Sequence, residues 1–542
     1  MDFNSTLSFN IARKMSPGRS GPWLNPGPLG PGLMFGSLSL HDAEDPQGQA
    51  EGWLKLARLS RTDKNPTLAL VFGLGLGYHL EALRRRYPNI RLLVFEPVAE
   101  MKTFYEANKI KAAAGEYAPE IYLDWREYEK RISREVVYGQ DDSFIVLSPE
   151  GYKVLRPEAY GTFISFVEQE IIRRSVIERT RENSEGSFLS NLAANVGRLP
   201  DLPDLLLLKG LLPSRPAFIV GSGPSLNRNA DDLKGLGSKA LIIAAASALK
   251  PLLARGVSPD LVLVLESENT SSYLELSNEE LDALGPNRIL ALASSCHPAH
   301  FEVQGFIKAV FHLTAGAAQI FSRGAFLPQG GNSGSAGFAL AYVWGMDPLV
   351  LVGQDQAYEA GKLHADGTPG EVDQAQAEGL TVGGLDGGMV KTDTGLLASL
   401  GWFTEAARTI VEKGNPPRLF NCSAGGAEVP GFIQMPLSTL TASLPPLTDG
   451  LDLAALMPRV PRLSRKEIAA DLDQLGAIVG SLRRLARMDY RKAYAEVKAA
   501  GKLSKFLAQV LAEAAVAAGR KELLESLDKA DELMTLMRSS LA

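Results

Sequence analysis

Two glycine turns in this chain offer backbone N–H groups to a ligand. In FIVGSGPSLNRN, residues 218–229, four mostly apolar positions run into Gly221, Ser222, Gly223, Pro224 and Ser225. Glycines there permit positive φ and close backbone approach, Pro224 stiffens the turn, and Ser225 supplies a hydroxyl. The N–H groups of such a turn and of a following helix make an anion site. No Lys-Ser/Thr pair follows, so this is not a Walker A loop. In FGLGLGYHL, residues 72–80, Gly73, Gly75 and Gly77 follow a strand and open a helix, and Glu96 closes the next strand. That is half of a dinucleotide fingerprint, with a carboxylate placed to accept hydrogen bonds from a ribose. A methyltransferase holds S-adenosylmethionine with the same arrangement. Glycines that only let a helix pack tightly on a sheet leave the same pattern.

Other polar residues fall at strand ends. Ser247 follows the strand LIIAA, Glu266 ends LVLVLE, and Gln354 and Asp355 lie just past LVLVG, with Tyr358 three residues on and His364 in the ensuing loop. Ligands of open α/β sheets bind outside the carboxyl ends of strands, so these residues converge on the Gly221 turn. Gly331, Asn332 and Ser333 precede an apolar helix and present N–H groups or an amide to an anion. Simpler readings stand beside these: Ser247, Asn332 and Ser333 as helix caps, and Glu266 as a solvated carboxylate. His297 and His300 stand three apart beside Cys296, without the second pair that a zinc site needs. SSCHPAH reads as a strand-to-helix loop near the site.

These residues require a frame of strands and helices. TLALVFG, a helix and IRLLVFEP form a βαβ unit, and FIVLSPEGY adds a strand. AFIVG, ALIIAA, LVLVLE, RILALAS, AVFHL and LVLVG form a second α/β region, several of them apolar throughout as parallel strands covered on both faces should be. Residues 16–36, dense in Gly and Pro, cannot form a regular element of any length. From Ser464 the chain has helical periodicity with almost no breakers. The expected fold is α/β: two Rossmann-like parallel-sheet domains plus a C-terminal all-helical domain, with boundaries 1–197, 198–445 and 446–542. RLPDLPDLLLLKGLLPSRP serves as the first linker.

Composition narrows the class. The chain has 542 residues, 45% hydrophobic and 22% charged, with net charge −6 and two cysteines. That balance disfavours a nucleic-acid clamp, and the cysteines supply no disulfide framework or CxxC metal site. The N-terminus lacks an apolar signal core, and SAGFALAYVWGMDPLVLVG, residues 335–353, is broken by Asp347 and Pro348. It reads as a buried helix followed by a strand, not a membrane span. A soluble protein of a reducing cytoplasm is expected.

The ordered set GSGPSL, LIIAAASALKPLLARGVSPDLVLVLES, GGNSGSAGFALAYVWGMDPLVLVGQDQAY, His364-Ala365, GGMVKTDTGLL and FNCSAGGAEVPGF resembles the motility-associated factor family of flagellin glycosyltransferases. The N-terminal pattern LSLHDAEDP, GLGLGYHL and FEP looks like the same family's first domain, so the resemblance covers roughly residues 35–435. The family's GxGPSL domain is related to bacterial sialyltransferases, and an archaeal branch pyrophosphorylates hydroxymethyl-dihydropterin. One departure is Glu266, where the family tends to have Asp. The resemblance implies transfer of a nonulosonic acid, of pseudaminic or legionaminic type, from its CMP-linked donor to Ser or Thr of flagellin, with no cofactor and no metal required.

On that expectation Gly221–Ser225, with Ser247, Glu266, Asn332, Ser333 and Gln354, hold the nucleotide sugar. Asp355 orients the sugar or takes the proton, His364 is the alternative base because histidine ionises near neutral pH, and Tyr358 bonds the phosphate. Lys391, Thr392, Gly425 and Gly426 close the pocket. Gly73, Gly75, Gly77 and Glu96 make a second site. Three rival readings remain: a Mg²⁺-dependent pterin pyrophosphokinase using Asp260, Glu266 and Asp355, a methyltransferase through the first domain, or a non-catalytic flagellin-binding protein. The C-terminal helices present a groove for flagellin, form a homo-oligomer, or cover the catalytic domain.

Overall fold

The computed structural model describes residues 21–60, 65–108, 118–138, 143–210, 212–237, 239–313, 326–369, 380–446, 452–488, 492–493 and 520–541. The chain divides into two compact units, Met1–Ser175 and Val176–Ala542. The division falls inside a single long helix, Pro157–Asn195.

The first unit opens on strands β1 (Pro22–Asn25), β2 (Gly32–Phe35) and β3 (Leu38–His41), an antiparallel sheet in the order β1-β2-β3. The Gly/Pro-rich segment therefore does hold regular structure, in four-residue strands short enough to fit between its prolines. Pro22 begins an outer strand, where a missing N–H is tolerated. The Trp23 indole donates to the Gly36 carbonyl at 3.0 Å and pins the meander. Strands β4 (Arg58–Leu59), β5 (Leu68–Phe72), β6 (Arg91–Phe95), β7 (Glu120–Tyr122) and β8 (Phe144–Leu147) form a second sheet, β4-β8-β5-β6-β7. It is parallel except for β4 against β8. Every side chain of β5 is buried, as a strand covered on both faces requires.

The second unit is built on strands β9 (Ala217–Val220), β10 (Leu241–Ala245), β11 (Leu261–Val264), β12 (Ile289–Ala293), β13 (Ile307–Phe311), β14 (Leu349–Val352), β17 (Leu419–Asn421) and β18 (Ile433–Gln434). They lie in the order β13-β12-β11-β10-β9-β14-β17-β18, and all pairings are parallel. A separate hairpin, β15 (Leu380–Gly383) and β16 (Met389–Thr392), follows β14. The apolar helix Ser333–Val343 crosses the sheet, and a Cβ on its Gly337 would meet Ile219, Ile243 and Leu263 at 3.0–3.3 Å. Glycine thus lets this helix lie close on three strands.

The segment 198–216 is packed into this unit: Leu199, Leu205, Leu206, Leu208 and Leu212 are buried in its core. Val310 N–H donates to the Pro203 carbonyl at 2.8 Å, and the Trp344 indole to that of Leu205 at 2.9 Å. The C-terminal helix Arg465–Met488 buries Ile468, Leu472, Leu475, Val479, Leu482 and Ala486, spaced three and four apart as one face of a helix requires. That stripe and the helix Arg520–Leu541 join the same hydrophobic core as the sheet. No helix among the described residues is long and apolar enough to cross a membrane.

Candidate functional site

The strand order turns back on itself between β9 and β14. From β9 the chain steps outward through β10 to β13, then returns to lay β14 on the other side of β9. Such a switch point leaves a crevice at the carboxyl ends of the two strands, where open α/β sheets bind ligands. GSGPSL leaves β9 and GQDQAY leaves β14, so both expected stretches rise from this place.

The two turns clasp each other. Gly223 N–H donates to the Gly353 carbonyl at 2.8 Å, and Gly221 N–H to that of Val352 at 2.9 Å. A Cβ at Gly221 would stand 2.6 Å from the Gly353 carbonyl oxygen, and one at Gly223 would stand 2.5 Å from Asp355 Cγ. Gly221 and Gly223 are not in the left-handed region; Gly353 is, at φ 60°. Close approach, not positive φ, is what requires glycine in GSGPSL, and the thing approached is the loop after β14.

Asp355 is buried and supports that turn. One carboxyl oxygen accepts from Ser225 N–H at 2.7 Å and the other from Ser225 Oγ at 2.5 Å. Burial pushes its carboxyl up to about 6, against the two Ser225 bonds that favour the charged form. On the outer side, Ala427 N–H donates to the Asp355 carbonyl at 2.7 Å, and Gly426 (φ 96°) leaves room for that contact.

His364 lies across the same turn. Its Nδ1 is 3.0 Å from Ser222 Oγ, which is 2.8 Å from Ser247 Oγ, and Ala365 N–H donates to the Ser222 carbonyl at 2.7 Å. Three polar side chains from the ends of β9 and β10 and the loop beyond β14 thus form one hydrogen-bonded chain. Gln354 is buried against Gly221 and Gly334, and its amide nitrogen has no partner among the described residues. An unpaired buried donor at a strand-end crevice is costly, and a ligand oxygen would satisfy it. Pro224 and Ser225 carry the turn into a short helix, Leu226–Asn229.

The other expected residues are more committed to the scaffold. Asn332 caps the helix Ser333–Val343: its Oδ1 accepts from Ser335 N–H at 2.8 Å and its amide donates to Ser399 Oγ at 2.6 Å. Ser333 Oγ is 3.5 Å from Glu266, whose carboxyl is raised by burial and accepts from Leu265 N–H at 2.8 Å. Tyr358 donates to Asp393. Thr392 donates to the carbonyl of Gln356, a buried residue held at φ 52°. Asp260 precedes β11 whereas Glu266 follows it, which sets the two roughly 15–20 Å apart. Asp260 is taken up by Ile242 N–H and Arg288, at 2.9 and 2.8 Å.

The glycine turn of the first unit is filled from within. Gly73, Gly75 and Gly77 all have positive φ, at 95°, 50° and 89°. Leu74 N–H donates to Glu96, Gly75 N–H to Tyr152 Oη, and Leu76 N–H to His41 Nε2, at 2.8, 3.0 and 3.2 Å. Glu96 also accepts from Tyr152 Oη at 2.7 Å and Val98 N–H at 2.8 Å. The donors that would meet a phosphate and the carboxylate that would meet a ribose are satisfied by one another, by Tyr152 and by His41. Burial pushes Glu96 up to about 7, from an ordinary 4.5. Between those values Glu96 holds a proton in the folded unit that it has lost in the unfolded chain, so its own contribution to stability falls as pH rises through the window, by about 3 kcal/mol in all. Hydrogen exchange of β5 and β6 in the whole chain should show stability rising more steeply with pH in Glu96→Gln than in wild type, and the difference between the two is this slope. His41 and His79, held neutral by burial, contribute a slope of opposite sign that is the same in both proteins. An unchanged slope would contradict the assignment.

Several residues of the site are not evident from residue pattern. Ser423 Oγ accepts from Gln354 N–H at 3.0 Å, and Asn227 receives Asp366 N–H at 3.1 Å. Only the clustering of polar residues in FNCSAGG hinted at the first.

Comparisons with known proteins agree with this architecture. Residues 187–361 match the family described as "MptE-like: 6-hydroxymethylpterin diphosphokinase MptE-like". The structure of a MAf glycosyltransferase from Magnetospirillum magneticum AMB-1 superimposes with a TM-score of 0.56 at 15% sequence identity, over 97% of this chain and 90% of that one. The two share a fold. Among proteins of curated function, none matches this chain in sequence.

Proposed function

We propose that this chain is a protein O-glycosyltransferase that moves a nonulosonic acid, of pseudaminic or legionaminic type, from its CMP-sugar to Ser or Thr of flagellin in the cytoplasm. The observation that carries the reading is the hydrogen-bonded chain Ser247–Ser222–His364 beside the unpaired Gln354 amide, at the β9/β14 crevice. The fold shared with a MAf glycosyltransferase, and the motifs that resemble that family, supply the reaction class.

In such a transfer the bond from the anomeric carbon to the CMP phosphate oxygen breaks, and the acceptor oxygen bonds that carbon and loses its proton. Negative charge grows on the departing monophosphate. The Gln354 amide is a donor fixed before reaction, so it stabilises that charge without reorganising, while the N–H groups of Gly221, Gly223 and Ser225 are spent on holding the turn. His364 takes the acceptor proton. For its Nε2 to carry the lone pair, Nδ1 must donate to Ser222, which then donates to Ser247. Ser222 is thus a positioning residue, as the group behind a catalytic histidine is in hydrolases. Asp355 acts through Ser225, holding the turn in shape. Fixed donors suffice for a monophosphate leaving group, and we propose that no metal takes part.

Purified protein incubated with flagellin and CMP-pseudaminic or CMP-legionaminic acid should raise the intact mass of flagellin by one or more sugar residues. Unmodified flagellin with every such donor, from folded protein, would contradict the proposal. The match to the diphosphokinase-like family supports a second reading, diphosphate transfer to a pterin, which would need a divalent cation on carboxylates. EDTA separates the two: it abolishes diphosphate transfer and spares the glycosyl transfer.

A further inference from the structure

Against Gly426, which packs on the Asp355 backbone, lies a cavity of about 670 Å³ that the reaction as proposed does not use. Its size is that of a ligand pocket. It is walled by the helix Leu226–Asn229, the loop after β14, the β15–β16 hairpin and the loops flanking β18. Three carboxylates line it, Asp232, Glu359 and Asp386, against one guanidinium, Arg228, which is paired with Glu359. CMP-nonulosonate carries one charge on phosphate and one on carboxylate, so this cavity repels the donor. Its unsatisfied atoms are acceptors. Asn229 is 7% exposed; its amide donates to the Cys422 carbonyl at 2.8 Å, while its Oδ1 has no partner among the described residues. Glu359 Oε2 also has no hydrogen-bond partner among the described residues, although the side chain is half-exposed and its other oxygen pairs with Arg228.

The rim adds a third feature. Strand β18 lies at the end of the strand order, paired among the described strands with β17 alone, and Ile433 is 56% exposed. Gln434 of that strand lines the cavity. An open strand edge takes an extended polypeptide through backbone hydrogen bonds. Resting on the proposed transfer, we infer that the cavity is the acceptor subsite, and that it receives an extended, hydroxyl-bearing polypeptide segment of neutral or basic charge. Backbone N–H groups of that segment would satisfy Asn229 Oδ1 and Glu359 Oε2, while Asp232 and Asp386 select against acidic flanks.

The test uses the full chain and two synthetic Ser/Thr peptides that differ only in flanking Lys or Glu residues. By fluorescence anisotropy, wild type should bind the basic peptide about tenfold or more tightly than the acidic one, and D232K/D386K should reverse that order. Affinity for CMP, measured by calorimetry, should stay within about twofold, because none of Ser222, Ser247, Gln354 and His364 lines the cavity. A control, E279K/D282K, changes net charge equally on an exposed helix elsewhere and should leave the preference intact. Peptide binding blind to charge, a control that reverses the preference as well, or loss of CMP affinity in D232K/D386K would overturn the inference. Should wild type show the charge preference yet modify no flagellin with any donor, the groove stands and the proposed transfer falls.

Discussion

His364→Gln lowers the turnover of glycosyl transfer by about 10²–10⁴-fold, with CMP affinity nearly unchanged. The size follows from what a positioned base contributes to a transition state in which the acceptor hydroxyl loses its proton. Glutamine retains a donor able to reach Ser222 Oγ, now 3.0 Å from His364 Nδ1, so the docking of 364–365 on the turn persists while the basic nitrogen is gone. Steady-state rates with saturating acceptor measure the loss, and the acid limb of the kcat/KM profile disappears with it. Asp355→Asn should behave differently. Its carboxyl accepts two Ser225 bonds, so the asparagine variant loses stability and turn geometry but keeps the acid limb. If Asp355→Asn abolished the limb and His364→Gln kept it, the roles would be exchanged.

Gly223→Ala abolishes transfer and destabilises the second unit by about 2–4 kcal/mol. The added methyl would lie 2.5 Å from Asp355 Cγ and 2.6 Å from the Gly353 carbonyl oxygen. Backbone cannot yield as a side chain can, so the loops after β9 and β14 must part. The Ser225–Asp355 bonds then break and leave a buried carboxylate without its donors. Gly237→Ala is the matched control, since nothing lies within 4 Å of a Cβ there and its φ is not positive. Urea unfolding followed by exchange in β9 and β14 reads the stability, and the mass assay reads the activity. Normal transfer in Gly223→Ala would show that the clasp is dispensable.

The fold was legible where burial leaves a periodic mark. Strands such as LVLVL are apolar throughout because helices cover both faces, and the helix from Arg465 shows its three-and-four spacing. The convergence of GSGPSL with GQDQAY followed from their place at strand ends. What each residue does there was not legible. That Asp355 turns to Ser225 is seen only in the folded loop, where Gly353 and Gln356 beside it adopt positive φ, which no residue type announces for glutamine. The GLGLG turn has the glycines of a nucleotide site, but its occupants, His41, Tyr152 and Glu96, come from distant positions. Nor does the division at residue 175 have a breaker: it falls within a continuous helix, whereas the proline-rich stretch at 198–216 is held by buried leucines. The acidic groove draws on four separated segments, so only the folded chain assembles it.

Binding CMP to the intact chain and determining where it sits addresses the proposed donor site most directly. The account predicts its phosphate within hydrogen-bond distance, about 3 Å, of the Gln354 amide and Ser222, with His364 facing the vacated sugar position. Nucleotide found instead against Gly73–Gly77, or in the cavity lined by Asp232 and Asp386, with the Ser222 cluster unoccupied, would contradict it.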